Sequence, residues 1–522
     1  YCQYAHESKA KIFQQDGFSP LYDEGWNFET IRKENLFLQK VGNCEMDESL
    51  RERFKAEVRA MRAWTYLGMT MTFGKVPLIT EVLDYNSPNI PRDEVSVIRD
   101  FIMKELTEAA AILPEKYAGG YPNEKGRITK YACLSLKARA ALYFGDYALA
   151  ESTAKEVMDK GGFSLFKISS LSDAQKKEAE EMSLYIDFAE KGIDKDEFVK
   201  GMFNYEALWH TENANPDNPE YIMTRQYAAS SWNYQDMTRY TSMRPNQLGG
   251  WSSVTPTQNL VDAYWGVDGH SVPQLPTPEE RAKAYNQIKA DLDAYQKPEG
   301  EAKFIAFCQE KIKNGTLKDY KYIQEFRNRD SRMYVSILMP FKSWYESNYG
   351  DKFVYEWIKN GNNESKTGFN FRKMLSLEND ANGDGQATGD YPCIRYAEIL
   401  LIYAEAHTQT TGYDAATEAA LNQLRDRCGM PDVPSGLSKE EGLKLIQNER
   451  RIELAGEGFR GDDMTRYSDD YWKEHMNNVP IMTPDGDTEL TMKWSSRMRL
   501  KPIPQTAIDL NPLLAGDQNP GY

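Results

Sequence analysis

Histidine and cysteine are scarce in this sequence. The 522 residues include five histidines and six cysteines. No two cysteines form a CxxC pair, and no histidine lies beside a cysteine at the spacing of a zinc site, so the common structural zinc motifs are excluded. We expect most of the cysteines to be buried free thiols; they are Cys2, Cys44, Cys133, Cys308, Cys393 and Cys428.

The sequence signatures of several enzyme classes are also absent. There is no HExxH, GxSxG or GxxxxGK[ST] motif, and no GxGxxG run followed by a helix. These motifs mark zinc proteases, serine hydrolases and nucleotide-binding proteins. A glycosidase needs only a pair of carboxylates in a cleft, and a chain with 79 acidic residues always offers such a pair.

Long apolar runs are missing as well. No window approaches the roughly 18 uncharged apolar residues that a membrane span requires. The sequence starts at Tyr1, and no basic segment followed by an apolar one precedes the first helical pattern. We therefore expect a mature or trimmed chain from which a signal peptide has gone.

Negative charge and aromatic side chains are abundant. Acidic residues number 79 and basic residues 63, which gives a formal net charge of −16. Such a chain repels phosphate backbones, so nucleic acid is not expected as a partner. The 32 tyrosines and 10 tryptophans fit either a large core or a surface on which flat rings stack against sugars, and composition leaves both interpretations open.

Helical periodicity is strongest near the two ends of the chain. Residues 47–73 carry apolar side chains at three-to-five spacing, with Asp47 as the expected N-cap and Gly74 and Pro77 at the end. Residues 129–162 and 396–429 each form a pair of alanine-rich helical segments of about 34 residues, the length of a tetratricopeptide hairpin. A further helix is predicted at residues 440–455. An unrelated helical protein with such hairpins is the alternative.

Residues 164–389 have a different composition. They are rich in Asn, Pro, Gly, Tyr and Trp and show helical patterns only at residues 278–296 and 302–314. We expect long loops with short strands here, and long ordered loops on a helical scaffold are where binding usually occurs. One loop contains Asp380, Asn382 and Asp384, which match the first half of a calcium loop. Tyr391 stands where that loop requires a Glu, so a polar loop without a cofactor is predicted and a calcium site is the alternative.

Eight stretches, in the same order along the chain, resemble the SusD/RagB family. They are WNFETIRKENLFLQ, KAEVRAMRAWTYLGMTMTFGKVPLI, TPTQNLVDAYWGVDG, NRDSRMYVSIL (similar to an "R-D-x-R-L" strand), SKTGFNFRKM, YPCIRYAEILLIYAEA, IQNERRIELAGEGFRGDDMTRY and LKPIPQTAIDLNPLLAGDQNPGY. Each stretch alone is a weak signal, but their common order over residues 20–522 is specific. The resemblance implies a mainly α fold: one body over residues 1–522, with a tetratricopeptide-like helical-hairpin scaffold at residues 20–163 and 390–522. A large loop-rich ligand-binding insertion with short strands occupies residues 164–389.

The function implied by the resemblance is capture of an oligosaccharide or polysaccharide at the cell surface, without catalysis. The ligand would pass to a SusC-like TonB-dependent transporter in the outer membrane, where an N-terminal lipid that is absent from this chain anchors the protein. Cys2 does not look like the lipidation site. Two alternatives stay open: a RagB-like protein that binds peptides, and a glycoside hydrolase.

A glycan site should combine exposed aromatic rings with polar side chains that bind hydroxyl groups. The densest such run is residues 230–251, where the rings stand among polar residues and not in an apolar period. Family members often have ligand contacts in the loop that holds Tyr85. For each aromatic, loop packing is the alternative. The predicted ligand-binding residues are Trp232, Tyr234, Arg239, Tyr240, Asn246, Gln247, Trp251 and Tyr85.

The charged residues of the resembling stretches also have a physical interpretation. They cluster on the predicted helices at residues 396–455 and just beyond them. Because a lone buried charge is very costly, we expect ion pairs that fix the helical hairpins to one another, and a catalytic role is the alternative. The residues concerned are Arg395, Glu398, Glu405, Arg450, Arg451, Glu453, Glu457 and Arg460.

Overall fold

A computed structural model describes most of the chain. The described residues are 14–84, 86–119, 123–228, 245–297, 299, 302–345, 353–375 and 388–522, together with the backbone of residues 2–4.

Five helices form the first part of the scaffold. α2 packs against α1 and α3, and α4 packs against α3 and α5. The helices are α1 (Phe28–Lys40), α2 (Glu48–Phe73), α3 (Val95–Ile112), α4 (Lys130–Tyr143) and α5 (Tyr147–Lys160). Asp47 caps α2 as predicted, because its carboxylate accepts hydrogen bonds from the amides of Ser49 and Leu50 at 2.9 and 3.1 Å. The predicted helix at 47–73 and the predicted pair at 129–162 are confirmed.

The buried face of α2 differs from the one that its large apolar residues suggest. Met61 is 37% exposed, whereas Ala56, Ala60 and Ala63 are fully buried. α2 lies between neighbouring helices, and small side chains there allow the backbones to approach closely. The volume of the side chains at the helix–helix contact therefore decides which face is buried. The spacing of the large apolar side chains predicts the wrong face for the first half of this helix.

The described residues in the middle of the chain form eight helices. α10 and α11 confirm the two predicted there. α8 was not predicted, because its buried residues run almost all the way round it and leave no polar face. The helices are α6 (Asp173–Glu181), α7 (Phe188–Lys191), α8 (Lys195–Ala207), α9 (Gln258–Ala263), α10 (Pro278–Ala294), α11 (Lys303–Lys313), α12 (Lys321–Gln324) and α13 (Met333–Ser336).

The strands are short, and in the described part of the chain they form five antiparallel pairs: β1–β3, β2–β8, β4–β7, β5–β6 and β9–β10. The stretch NRDSRMYVSIL is not the strand that its pattern suggested, since α13 interrupts it and only Ile337–Leu338 extend. The strands are β1 (Cys2–Tyr4), β2 (Tyr221–Arg225), β3 (Val254–Pro256), β4 (Ile337–Leu338), β5 (Ser343–Trp344), β6 (Phe353–Val354), β7 (Asn370–Phe371), β8 (Tyr391–Arg395), β9 (Pro480–Met482) and β10 (Thr488–Thr491).

Six helices complete the chain. α14 packs against α5, α15 and α16, so two hairpins about 250 residues apart in sequence lie side by side. The mainly α, tetratricopeptide-like fold is thereby confirmed, as are the pair at 396–429 and the helix at 440–455. The helices are α14 (Tyr396–Thr410), α15 (Ala415–Arg427), α16 (Lys439–Glu453), α17 (Phe459–Arg466), α18 (Asp469–Met476) and α19 (Gln505–Leu510).

One hydrophobic cluster contains residues from the early, middle and late parts of the chain, including Ile102, Tyr334 and Leu400. The chain's division into scaffold and insertion stays a prediction. Within the described residues, Cys133 and Cys428 are buried free thiols, and Cys308 is buried as well. In that same part of the chain, no helix has both the length and the apolar character needed to cross a membrane.

Buried ion pairs join the scaffold to the middle of the chain. Arg395 donates hydrogen bonds to Glu220, Glu453 and Glu457, each at 2.7 Å, and its side chain is 1% exposed. Burial alone would raise the pKa of Glu453, but Arg427, Arg395 and Arg332 hold that pKa well below its ordinary range. The predicted ion pairs at Arg395, Glu453 and Glu457 are confirmed.

Further buried pairs extend this network into the middle segment. Arg332 binds Glu449 at 2.7 Å, and Arg372 bridges Glu178 and Glu206 at 2.6 and 2.5 Å. The sequence did not reveal these partners, because they come from segments up to about 200 residues away.

Other predicted pairs lie within the scaffold. Glu398 pairs with Arg139 at 2.6 Å, Glu405 pairs with Arg466, and Arg450 pairs with Asp463 at 2.8 Å.

Arg451 and Arg460 do not follow the predicted pattern. Arg451 donates to the backbone carbonyl and the side chain of Asn259 at 2.9 and 2.6 Å. Arg460 donates to the hydroxyl of Tyr471 at 2.9 Å. Among the described residues, neither guanidinium lies within ion-pair distance of a carboxylate, so the expectation of an ion pair is wrong for these two arginines.

Candidate functional site

Residues 245–251 form a surface turn that presents three of the predicted site residues. A short 3-10 helix covers Asn246–Leu248, and the side chains of Asn246 and Gln247 are exposed there. Trp251 follows and is 53% exposed. The amide of Gly250 donates to the carbonyl of Pro245 at 3.0 Å, which closes the turn and keeps its two ends together. The result is a flat apolar ring beside two amide side chains.

Buried residues hold this turn at its centre and directly after its last residue. Leu248 is buried at its centre, and Gly249 adopts the left-handed conformation with φ at 81°, which a glycine accommodates without steric cost. Ser252, directly after Trp251, also has a positive φ of 47° and is fully buried. The chain therefore turns inward at this point, towards β3, and leaves the indole outside.

A second segment braces the turn from the side. The amide of Glu356 donates to Oε1 of Gln247 at 3.1 Å. Trp357, the next residue, is buried, and its ring centroid lies 5.6 Å from that of Tyr285 in α10. Burial raises the pKa of Glu356. The turn is thus held through this segment against a helix of the core.

Two carboxylates lie close together near α10. Nε2 of Gln258 donates to Asp262 and to Glu325, each at 2.8 Å, so the two accepting oxygens are at most about 5.6 Å apart. Nε of Arg281 donates to Glu325 at 2.7 Å. Desolvation raises the pKa of Glu325 to about 7. This spacing overlaps that of retaining glycosidases, roughly 5–5.5 Å.

The contacts of this carboxylate pair are of the kind that holds elements of the fold together. Asp262, Gln258 and Arg281 line a small cavity of about 180 Å³, while the side chain of Glu325 is only 2% exposed. Both acids bind the same arginine and the same glutamine, which ties α9 and α10 to the segment after α12. No local motif could have revealed this pair, because Asp262 and Glu325 are far apart in sequence.

A larger groove, of about 380 Å³, lies beside β2. Its walls include Tyr117, Arg127 and Phe163, and Lys125 and Asp217 form an ion pair at its edge. Residues of β2 line this groove. In sequence, β2 ends a few residues before the predicted ligand-binding run at 230–251.

The structure describes three of the eight predicted ligand-binding residues, Asn246, Gln247 and Trp251, which all lie on this turn. The others lie outside the described residues: Tyr85, Trp232, Tyr234, Arg239 and Tyr240. The suggested calcium loop with Asp380, Asn382 and Asp384 also lies outside them.

Comparison with known protein families places this chain. The family model of the SusD family, SusD_RagB, matches residues 219–522, which is more than half of the chain. The chain belongs to the SusD family. That match covers the turn, the carboxylate pair and most of the buried ion-pair network, including Arg332, Arg395 and Glu453.

Individual SusD-family relatives extend the similarity over nearly the full length. SusD-like protein P38 of Formosa agariphila is 22% identical over 474 residues, covering 88% of this chain and 73% of that protein. A SusD-like protein of Bacteroides fragilis has a crystal structure with a TM-score of 0.71 at 24% identity, over 99% of this chain and 89% of that one. A SusD-like carbohydrate binding protein of the same species gives 0.67 at 20% identity, over 98% and 89%. These structures show a shared fold.

Proposed function

We propose that this SusD-family chain binds an oligosaccharide or polysaccharide at the cell surface and does not cleave it. The observation that carries the proposal is the exposed indole of Trp251 on the same turn as Asn246 and Gln247, a turn held by the buried residues Leu248 and Ser252. Family membership and the carbohydrate-binding relative support the same ligand class.

The physics of the turn suits a neutral sugar. A pyranose ring has apolar C–H faces and polar edges, so it stacks on a tryptophan ring while its hydroxyl groups bind neighbouring amides. The ring of Trp251 needs no rearrangement to stack, because Ser252 and Leu248 already fix the backbone on both sides. A preformed site of this kind avoids part of the entropy cost of binding.

The remaining parts of the proposed function follow from the family. We propose that the bound glycan passes to a SusC-like TonB-dependent transporter, and that the full-length protein is lipid-anchored in the outer membrane. No cofactor is required in this proposal. Calcium at Asp380, Asn382 and Asp384 is the alternative, and adding a chelator to the binding assay distinguishes the two.

Affinity electrophoresis against plant, fungal and host glycans, followed by calorimetry on the best ligand, tests the proposal. We predict that Trp251→Ala weakens binding about fivefold or more, as the loss of a ring contact worth about 1 kcal/mol or more implies. The matched control is Phe37→Ala, which removes a 37% exposed aromatic ring from α1 and should leave affinity unchanged.

Three outcomes would count against the proposal. If no glycan retards the protein and a mixed-peptide pool binds, the RagB-like alternative is correct. If glycan binding is unchanged in Trp251→Ala, the site is elsewhere, and Trp232→Ala becomes the next variant. If the purified protein shortens a glycan and Glu325→Gln stops that cleavage, the carboxylate pair is catalytic and the protein is a hydrolase.

A further inference from the structure

A second cavity lies in the C-terminal half of the molecule. Its volume is about 370 Å³, within the range of small-molecule sites. α2, α16, α17 and α18 contribute to its walls, together with Val254 of β3 and the stretch around Arg499. It shares no lining residue with the turn at residues 245–251, and the proposed glycan function makes no use of it.

Basic side chains dominate the charge of this cavity. Its described walls carry five basic residues, Arg450, Arg451, Arg460, Arg499 and Lys501, and two acidic ones, Asp462 and Asp463. The chain as a whole has a net charge of −16, so the concentration of positive charge here runs against the composition. Asp463 pairs with Arg450, and Arg499 pairs with Asp469 at 2.6 Å.

Arg451 is the residue that these pairs do not explain. It is 8% exposed, and no carboxylate of the described chain lies within ion-pair distance of its guanidinium. Within the described ranges, its Nε has no hydrogen-bond acceptor, and neither do Nη1 of Arg450 and Nε of Arg460. A buried charge without a counter-ion costs several kcal/mol, and buried donors without acceptors are rare. An anion in this cavity would supply the acceptor that these three donors lack among the described residues.

The start of α17 adds to the positive electrostatic potential of the cavity. This eight-residue helix begins after Gly458, which has a φ of 91° and offers no side-chain cap. Gly458, Phe459, Arg460 and Gly461 all line the cavity. The uncapped N-terminus of a helix carries a partial positive charge and free backbone donors, and it binds anions readily.

Titration shifts nearby agree with a positive environment. Burial, followed by repulsion from Arg460, lowers the pKa of Arg451 to about 9. His475 stacks on Tyr471 with ring centroids 4.1 Å apart, and burial together with Arg451 and Arg460 lowers its pKa to about 3. Both cationic forms are disfavoured here, which is the condition that an incoming anion would relieve.

The rest of the wall is apolar. It includes Phe18, Met71, Leu260, Trp472, Met476 and Met498. We propose that this cavity binds a small organic carboxylate with an apolar body, whose carboxylate accepts hydrogen bonds from Arg451, Arg460 and the first amides of α17. The aromatic and methionine side chains then enclose the apolar part. The ligand class differs from that of the glycan site, so the two can be occupied together.

The test uses the full chain and two probes of nearly the same shape, 3-phenylpropanoate and 3-phenylpropanamide, in calorimetric titrations at neutral pH. The carboxylate should bind at least about tenfold more tightly than the amide, as one charge-assisted hydrogen bond implies. Arg451→Met should remove that difference and leave glycan affinity unchanged. Arg99→Gln is the control, because Arg99 is exposed and pairs with its neighbour Asp100.

The proposal is overturned if the two probes bind equally, if neither binds, or if Arg451→Met keeps the parental preference for the carboxylate. Should Arg451→Met fail to fold, Arg460→Gln replaces it, since Arg460 is only partly buried, and it should reduce the carboxylate preference several-fold. If the parent chain binds no glycan but still prefers 3-phenylpropanoate to 3-phenylpropanamide, only the proposed glycan function is contradicted.

Discussion

Arg395 and Arg451 are both buried arginines of the C-terminal scaffold, but their surroundings differ completely. Arg395 contacts three carboxylates at 2.7 Å, whereas Arg451 contacts an amide side chain and a backbone carbonyl. The first arginine joins β8 to the residue just before β2 and to α16. The second borders a cavity of about 370 Å³. Burial alone therefore does not reveal the role of a charged residue; the set of partners does.

The largest predicted effect compares these two arginines directly. Arg395→Met should lower the free energy of unfolding by about 3–5 kcal/mol, because it leaves carboxylates buried with too few cations. Arg451→Met should lower it by less than about 1 kcal/mol or increase it, since it removes a buried charge for which the described part of the chain supplies no counter-ion. Urea denaturation of both variants at neutral pH measures the two values.

The opposite ranking would break the comparison. If Arg451→Met were as destabilising as Arg395→Met, Arg451 would be a structural residue held by Asn259 and would not be available to bind an anion.

Glu325 is an intermediate case in which two acids share one arginine. Its pKa is raised from an ordinary 4.5 to about 7, so the folded state binds more protons than the unfolded state between those values. Stability therefore falls as pH rises through this window. Glu325→Gln should remove up to about 3 kcal/mol of that fall between about pH 5 and pH 8. Denaturation curves over this range, parent against variant, check it; parallel curves would show that Arg281 and Gln258 keep this carboxylate ionised.

The smallest predicted effect concerns Asp462, which faces the cavity beside Asp463. Burial and the Asp463 carboxylate raise its pKa to about 6, so it is mostly negative at neutral pH. Asp462→Asn should tighten binding of 3-phenylpropanoate several-fold, since one nearby charge in a wet site is worth about 1 kcal/mol. The amide probe should bind as before. Equal tightening of both probes would point to a change of shape instead of charge.

Much of the scaffold was predictable because its signals are local. Asp47 caps α2 by accepting hydrogen bonds from amides only two and three residues further along the chain. The alanine-rich pairs reveal their hairpins in windows of about 34 residues. α8 escaped prediction because a helix buried almost all round has no polar face to mark its period. The partners of Arg395 escaped prediction for another reason, since Glu220 reaches it from a turn 175 residues earlier in the chain.

The site was predictable only in part. Polar neighbours around Trp251 correctly indicated an exposed ring, and its exposure of 53% confirms this. The support from Glu356 could not be predicted, because its amide reaches Gln247 across 109 residues. The cavity beside Arg451 was missed altogether, because in sequence that arginine is indistinguishable from its ion-paired neighbour Arg450.

The way in which the turn at residues 245–251 is anchored affects how the ligand preference of such a protein can change. Leu248 and Ser252 are buried and hold the loop, and Gln247 accepts the hydrogen bond from the Glu356 amide that braces it. Asn246 and Trp251 are exposed. Substitutions at these two positions can therefore accumulate with little penalty to folding. A ligand preference can drift, or be selected in a library randomised at these two positions, while the protein beneath stays the same.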